Sequence, residues 1–556
     1  MAEKVLIIGG VAGGASAATR LRRLSEDAEI ILVERGPHVS YANCGLPYYV
    51  GGEIKERGKL LVQTPEKLNA MFALDVRVNT EAVSIDRAAR TVELRNTQSG
   101  EVTRETFTDL ILSMGAAPLR PPIPGIERAG HFSVRSVVDV DAITDWIDTN
   151  SAQTAVVVGG GYIGLEMAEQ LAHRGLKVSL VEALPQVMAP LDPEMAACLH
   201  QELRNHGIDL TLGDGVAGFE AAAAGETAKA STVVLRSGKR LPGDIVILGL
   251  GVKPEIKLAA EAGLEIGARG GIRVDDTMRT SDPNIYAVGD VAEVRDFVTG
   301  EWTLIPLAGP ANRQGRIAAD NICGLNSRYR STQGSAVLRL FDLTAATTGA
   351  NEKTLKRVGM EYEAIHLHPG SHAGYYPGAF PISLKVLFNP KTGKLLGAQA
   401  VGKDGVDKRM DVFATALAAG MTMDDLAELE LCYAPPFGSA KDPVNLAGMI
   451  AQNIMAGRLT VAHWDEIAES GDRDFVLVDV RDCTGRNNGT IPGSIHIPLA
   501  ELRGRLKELP RGQEIVVHCT SGQTSYFASQ ILQNNGYRVR NLSGSYLTWK
   551  TATGCS

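Results

Sequence analysis

The amino-acid sequence predicts a multi-domain α/β protein. Three observations carry that expectation: a strand, glycine-rich turn, helix and second strand that occur twice by Glu182; a β-rich stretch from about 326 to 450; and a smaller α/β pattern from about 466. At 556 residues the chain is too long for one core, and ~150 residues per domain gives three or four units.

The first copy runs Val5-Leu-Ile-Ile-Gly9-Gly-Val-Ala-Gly-Gly14, then a helical Ala15–Leu24 and a strand Ala28–Glu34. The second runs Ala155-Val-Val-Val-Gly159-Gly-Gly161-Tyr-Ile-Gly164, then helix Leu165–Arg174 and strand Leu176–Glu182. In such a unit the glycines let backbone N–H groups approach a pyrophosphate at the positive end of a helix. The acidic residue closing the second strand, Glu34 or Glu182, accepts hydrogen bonds from a ribose. The first copy departs in one place, with Val11 where a second glycine is usual, which narrows the room beside the pyrophosphate. Two dinucleotide sites in one chain point to hydride passing between two cofactors. A carboxylate at Glu182 repels a 2′-phosphate and so favours NADH, with NADPH possible if a cation stands nearby.

The remaining composition narrows the function. A net charge of −8 argues against nucleic acid or an anionic membrane surface as partner. No apolar run approaches the ~18 residues of a membrane span. Val5–Ile8 already opens a domain, so no signal peptide is expected. The seven cysteines (44, 198, 323, 432, 483, 519, 555) lack CxxC or metal-ligand spacing, which suits a reducing cytoplasm and no metal. Most are expected to be inert buried thiols. Cys44 and Cys519 are the exceptions.

Cys44 lies in Ser40-Tyr-Ala-Asn-Cys44-Gly-Leu-Pro47, ten residues past Glu34. Val39 and Tyr49 occupy the positions five residues away, so no resolving cysteine is near and Cys44 must cycle through a mixed disulfide, persulfide or sulfenic acid. Together with the two nucleotide motifs, this segment resembles the single-cysteine branch of the pyridine nucleotide–disulfide oxidoreductases: coenzyme A-disulfide reductases, NADH oxidases and NADH peroxidases. The coenzyme A-disulfide reductases match best, over roughly residues 1–450. Thr280-Ser-Asp-Pro-Asn-Ile-Tyr-Ala-Val-Gly-Asp290 resembles the family's flavin-binding strand and reads as a strand ending in an exposed aspartate. The resemblance implies that Asp290 holds the ribityl chain, that the first site takes FAD and that the second takes NAD(P)H. It also implies that tyrosines from a partner subunit, Tyr376 (or Tyr375) and Tyr433, face the active cysteine of a homodimer. By the same resemblance coenzyme A lies along Ser16, Arg20, Arg23, Ser40, Asn43 and Lys441. Phe72 stands where the family often has a basic residue.

Residues 466–553 resemble a rhodanese domain. The markers are Val478-Asp-Val-Arg481, Gly489-Thr-Ile-Pro-Gly-Ser-Ile-His-Ile-Pro498, Val516-Val-His-Cys519-Thr-Ser-Gly-Gln-Thr-Ser525 and Leu542-Ser-Gly-Ser-Tyr-Leu-Thr-Trp549. A strand, Glu514–His518, is expected to deliver Cys519 to a loop running into helix Tyr526–Asn534. Converging loop N–H groups and the helix N-terminus would stabilise a thiolate or persulfide. Thr524 replaces a frequent arginine, and the neutral loop suits persulfide or polysulfide better than thiosulfate.

The expected domains are therefore 1–115 with 250–325 (FAD), 116–249 (NAD(P)H), 326–450 (dimerisation), a linker at 451–465, and a rhodanese-like 466–556. The expected activity is NAD(P)H-dependent reduction of coenzyme A persulfide, coenzyme A disulfide or polysulfide at Cys44, with Cys519 handling sulfane sulfur. The alternatives are an NADH oxidase reducing oxygen through a Cys44 sulfenate, and a sulfur-carrier or redox-sensing protein.

Overall fold

Each glycine-rich turn follows the central strand of a five-stranded parallel sheet. Lys4–Ile8 pairs with Glu29–Val33 and Asp109–Leu112, with Asp75–Arg77 and Ile285–Ala287 at the edges. Thr154–Val158 holds the same place between Lys177–Glu182 and Ile245–Leu248, flanked by Asp209–Leu212 and His131–Phe132. Val5, Leu6, Ile7, Val156 and Val157 are fully buried, as strands covered by helices on both faces require. The duplication extends further. Each sheet is accompanied by three antiparallel strands: Thr80–Asp86, Thr91–Asn96 and Val102–Thr106 in one case, Val216–Glu220, Ser231–Leu235 and Arg240–Gly243 in the other. An antiparallel ribbon, Ala116–Pro118 against Val252–Pro254, carries the chain out of the first sheet and back.

This computed structural model describes residues 3–221, 230–468 and 473–554. The chain divides into two units: residues 1–185 with 207–334, and residues 186–206 with 335–556. In the first unit the two nucleotide helices begin earlier than expected, at Ala12 and Tyr162. Gly14 and Gly164 thus fall in the first helical turn. A Cβ on either would stand 1.9 Å from the carbonyl oxygen of Gly9 or Gly159, so packing alone demands glycine there.

The second unit contains an antiparallel sheet in the order Ala336–Leu340, Leu343–Gly349, Leu395–Gly402, Ile382–Phe388, Glu363–Leu367. Helices Val406–Ala419, Met423–Glu428 and Pro443–Met455 follow. The segment 451–465 differs from the linker expected there. Ala447 and Ala451, one turn apart and fully buried, carry the helix past 450 to Met455. Val461–Ala462 is already an edge strand of the C-terminal parallel sheet, whose order continues Val539–Leu542, Glu514–His518, Phe475–Asp479, Ile495–His496. Ile515 and Val517 face one apolar layer of that sheet, and Val516 faces the other with Leu542 and Trp549. Within the same unit, helix Pro193–Asn205 packs on the C-terminal helix Ser545–Thr553. Among the described residues no helix is long and apolar enough to cross a membrane.

Candidate active sites around Cys44 and Cys519

In the first unit a cleft of about 830 Å³ lies beyond the carboxyl ends of the first sheet, lined by Gly9, Gly13, Glu34, Asn43, Arg135 and Asp290 among others. Its size, its glycine turn and a helix start with no acidic residue in the first turn fit an FAD molecule. Glu34 accepts backbone N–H bonds from Gly10 (2.9 Å) and Gly36 (2.9 Å). Glu182 does the same with Gly160 (2.7 Å) and Leu184 (2.8 Å). Each acidic residue therefore also stitches its own glycine turn, a role the spacing did not reveal. Asp290 was expected to be exposed at a strand end. It lies instead in a short 3₁₀ turn, Gly289–Val291, half-buried in the cleft wall, and burial raises its pKa against the opposing pull of Arg135.

The glycine turns differ at the second glycine position. Among the described residues, a Cβ on Gly161 would meet no atom within 4 Å beyond its own chain neighbours, so packing does not require glycine there. The space is the kind an NAD(H) pyrophosphate fills. Val11, its counterpart in the first turn, is among the residues lining the cleft of the first site.

Cys44 sits exposed in the 3₁₀ turn Asn43–Gly45, just before the short helix Leu46–Val50. That helix packs against Tyr162–His173, the helix that opens the second glycine turn. Gly51 approaches it so closely that a Cβ would fall 1.9 Å from Gln170 Oε1. The thiol segment is thereby placed where the two nucleotide halves meet. Partial burial raises the Cys44 pKa above the ordinary thiol value, and the carboxylates of Glu166 and Asp290 push it further. Glu166 accepts a hydrogen bond from the Tyr48 hydroxyl (3.2 Å). Sequence reasoning missed Glu166, because nothing in local spacing links it to Cys44.

Of the residues expected to hold coenzyme A, Ser16 donates to Asn312 Oδ1 (2.6 Å) and Arg20 pairs with Asp320 (2.7 Å). Arg23 and Asn43 are exposed, and Ser40 adopts a left-handed φ of 49°. Arg22, between the two expected arginines, is buried and donates to the carbonyls of Phe72, Ala73, Ser25 and Glu26. Phe72 thus serves Arg22 through its backbone carbonyl, while its ring packs against the core of the first unit. Lys441 belongs to the second unit and is exposed before helix Pro443–Met455.

Also in the second unit, the hydroxyls of Tyr375 and Tyr433 lie 2.8 Å apart and both rings are exposed. Tyr376 instead packs edge-on against His372. Tyr375, rather than Tyr376, is the neighbour of Tyr433. Burial pushes the Cys198 and Cys323 thiols up to about 11, as inert thiols require. Cys432 and Cys483, also expected to be buried, are exposed. Cys555 lies outside the described residues.

Cys519 is 2% exposed, at the end of strand Glu514–His518. The helix after it begins at Gln523, earlier than expected, with Gly522 at φ +108° as its cap. One backbone N–H, that of Gly522, points at Cys519 Sγ (3.1 Å), and the Ser525 hydroxyl donates to the same sulfur (3.3 Å). Ser545 Oγ lies 3.8 Å from the sulfur and accepts the Cys519 N–H (3.2 Å). The expected fan of loop amides is therefore one amide supplemented by hydroxyls. Neutral donors of this kind stabilise a sulfur anion without a cation. The Asp479–Arg481 motif is structural: buried Asp479 accepts from Arg481 Nε (2.9 Å) and Nη2 (2.6 Å), and Arg481 lies over the Tyr546 ring at 4.4 Å.

Comparison with known proteins agrees with this geometry. The profile of the pyridine nucleotide-disulphide oxidoreductases matches residues 3–315, that of their dimerisation domain residues 336–443, and that of the rhodanese-like domain residues 463–552. A coenzyme A disulfide reductase of Staphylococcus haemolyticus is 35% identical over 453 residues, 81% of this chain and all of that protein. An NADH oxidase of Methanocaldococcus jannaschii is 36% identical, covering 80% of this chain and 97% of its own. The crystal structure of reduced Bacillus anthracis CoADR-RHD superposes with a TM-score of 0.96 at 49% identity, over 100% of this chain and 99% of that one. The NAD-dependent persulfide reductase of A. fulgidus does so with a TM-score of 0.91 at 38% identity, over 98% and 100%. The chain belongs to the pyridine nucleotide-disulphide oxidoreductase family, as an FAD- and NAD(H)-binding flavoprotein that carries a rhodanese-like domain at its C-terminal end.

Proposed function

We propose that this chain reduces sulfane sulfur and disulfide bonds of small thiols at the expense of NADH, with coenzyme A persulfide, coenzyme A disulfide or polysulfide as substrate. The balanced reaction for the persulfide is NADH + H⁺ + CoA–S–SH → NAD⁺ + CoA–SH + H₂S. The observation that carries this reading is one chain joining a lone flavin-side cysteine, Cys44, to a second cysteine, Cys519, whose sulfur is cradled by the Gly522 N–H and the Ser525 hydroxyl.

The cleft lined by Gly9, Gly13, Glu34 and Asp290 would hold FAD, which when bound would supply the electron pair of NADH to sulfur. The chain's own residues do the rest. The Cys44 thiolate attacks the coenzyme A-bound sulfur of the persulfide, a Cys44–coenzyme A mixed disulfide forms, and hydrosulfide leaves. Cleavage of that bond by two electrons returns the Cys44 thiolate and coenzyme A thiolate. Arg20, Arg23 and Lys441 bind the coenzyme A phosphates, while Ser16, Ser40 and Asn43 line its path. A tyrosine hydroxyl of the Tyr375–Tyr433 pair protonates the departing thiolate. The exposed aromatic group of Tyr375, Tyr433 and Phe437 supports a homodimer in which these rings face the cysteine of a second copy. Cys519 accepts sulfane sulfur and passes it to the thiol that Cys44 then serves. Glu182 supports NADH over NADPH.

Anaerobic NADH oxidation measured with coenzyme A disulfide, coenzyme A persulfide, polysulfide and thiosulfate tests this reading, using Cys44→Ser and Cys519→Ser. Loss of every reductive activity in Cys44→Ser supports it. Oxygen consumption that outruns all sulfur substrates and survives loss of Cys519 refutes it in favour of the oxidase activity named for the Methanocaldococcus relative.

A further inference from the structure

The loop that touches Cys519 from behind is held on its other side by a different sheet of the same unit. Residues 543–548 are the loop end Ser543–Gly544 and the first turn of the C-terminal helix Ser545–Thr553. On one side Ser545 accepts the Cys519 N–H (3.2 Å) and meets the Ser525 hydroxyl (3.1 Å), while the N–H groups of Tyr546 and Leu547 donate to the carbonyls of Cys519 (3.1 Å) and Thr520 (3.0 Å). On the other side stands strand Glu363–Leu367 and its continuation. The backbone N–H of His366 donates to Ser543 Oγ (2.8 Å), and its Nδ1 lies 3.3 Å from the same oxygen. His368 Nε2 meets Thr548 Oγ1 at 2.8 Å. Gly544, at φ +66°, fits so tightly that a Cβ would stand 2.8 Å from His366 Cβ.

The partners fix the His366 tautomer. Nε2 faces Glu194 Oε1 (2.9 Å), an acceptor, so it carries the proton; Nδ1 then accepts from Ser543. Glu194 is in turn ion-paired to fully buried Lys385, which also meets Asp192 (3.0 Å) and Glu352 (2.5 Å). His368 is half-buried, and its burial pushes its pKa down to about 4 and keeps it neutral; its Nδ1 meets Ser383 Oγ (3.2 Å). A loop clamped this way cannot re-aim Ser545 without breaking buried hydrogen bonds.

Resting on the sulfur-handling reading of Cys519, we propose that His366 and His368 are positioning residues for that cysteine: through Ser543 and Thr548 they hold the loop that places Ser545 on the sulfur. Sulfur acceptance by the rhodanese-like domain then depends on the antiparallel sheet beside it, whereas reduction at Cys44 does not.

The test uses the full-length holoenzyme with Thr548→Val and Ser543→Ala, and Thr548→Ser as the conservative control. Sulfur transfer is measured with glutathione persulfide as donor and cyanide as acceptor, alongside iodoacetamide labelling of Cys519 across pH and NADH oxidation with coenzyme A disulfide. The expected result is a kcat for transfer lowered about tenfold in Thr548→Val and Ser543→Ala, the loss that follows from releasing one buried hydrogen bond. KM stays within about twofold, the labelling profile shifts, and coenzyme A disulfide reduction is unchanged. Thr548→Ser, which keeps the hydroxyl, transfers at the parent rate. Parent-like transfer in Thr548→Val and Ser543→Ala overturns the positioning role, as does a parallel loss of both activities with a lowered Tm. Full transfer by Cys519→Ser would overturn the sulfur-handling reading itself, and the positioning role with it.

Discussion

Cys44 and Cys519 present two opposite ways of housing a working thiol. Cys44 stands exposed in a 3₁₀ turn just before a five-residue helix, and partial burial together with the carboxylates of Glu166 and Asp290 raises its pKa. Cys519 is buried, and its sulfur is met by an amide and a hydroxyl. The difference teaches how charge is managed in each. At Cys44 the protein alone disfavours the thiolate, so the positive potential that activates it has to come from what binds beside it. At Cys519 the supporting donors are built into the chain.

The sharpest way to break this contrast is to remove each sulfur. Cys44→Ser should lower NADH-dependent reduction of coenzyme A disulfide by at least about 10³-fold, as loss of a covalent nucleophile does. Cys519→Ser should leave that rate unchanged while abolishing sulfur transfer, and paired steady-state assays read both.

Next in size is the buried charge cluster beneath the second site. Lys385→Met strands Asp192, Glu194 and Glu352, and should cost about 3–5 kcal/mol in urea unfolding of the chain. The same cluster sets an acid limit. Lys385 chiefly offsets the cost of burying Glu352 and holds its pKa at about 2, against an ordinary 4.5. Glu352 therefore contributes stability that is complete above 4.5 and is lost as pH falls from there toward 2. Thermal melts between these values should show the loss, and Glu352→Gln should flatten it.

A smaller effect separates the two thiol environments directly. Glu166→Gln removes a repelling carboxylate, so the Cys44 pKa falls and iodoacetamide labelling at neutral pH should speed up several-fold, about 3 to 10 times. Ser525→Ala removes a favourable donor and should slow Cys519 labelling by a similar factor, corresponding to about 1 kcal/mol. Equal and same-direction changes would erase the contrast.

The features legible in the sequence are those whose cause is local. Gly14 and Gly164 are dictated by turns that close on the carbonyls of Gly9 and Gly159, Gly9 and Gly159 by their left-handed φ of +99° and +109°, and the fully buried strands around them read as unbroken apolar runs. Cys519 is legible because a strand, a loop and a helix follow one another within a few residues. Glu166, Ser545 and the His366–Ser543 contact are not, since each acts across a tertiary approach; His366 and Ser543 are 177 positions apart. The linker failed for a different reason. The helical period of Ala447 and Ala451 overruns the place where composition changes, and a two-residue edge strand leaves no period to read. Tyr375 and Tyr376 are adjacent, so only the geometry of the turn that holds them decides which one meets Tyr433.

The vacancy around Gly161 has a practical consequence. Because among the described residues nothing beyond its own chain neighbours comes within 4 Å of a Cβ there, alanine at that position should be silent in folding, in melting behaviour and in yellow colour, yet obstruct the pyridine nucleotide. A single methyl group would then yield a flavoprotein deaf to its electron donor, in which the sulfur-carrying half can be studied alone.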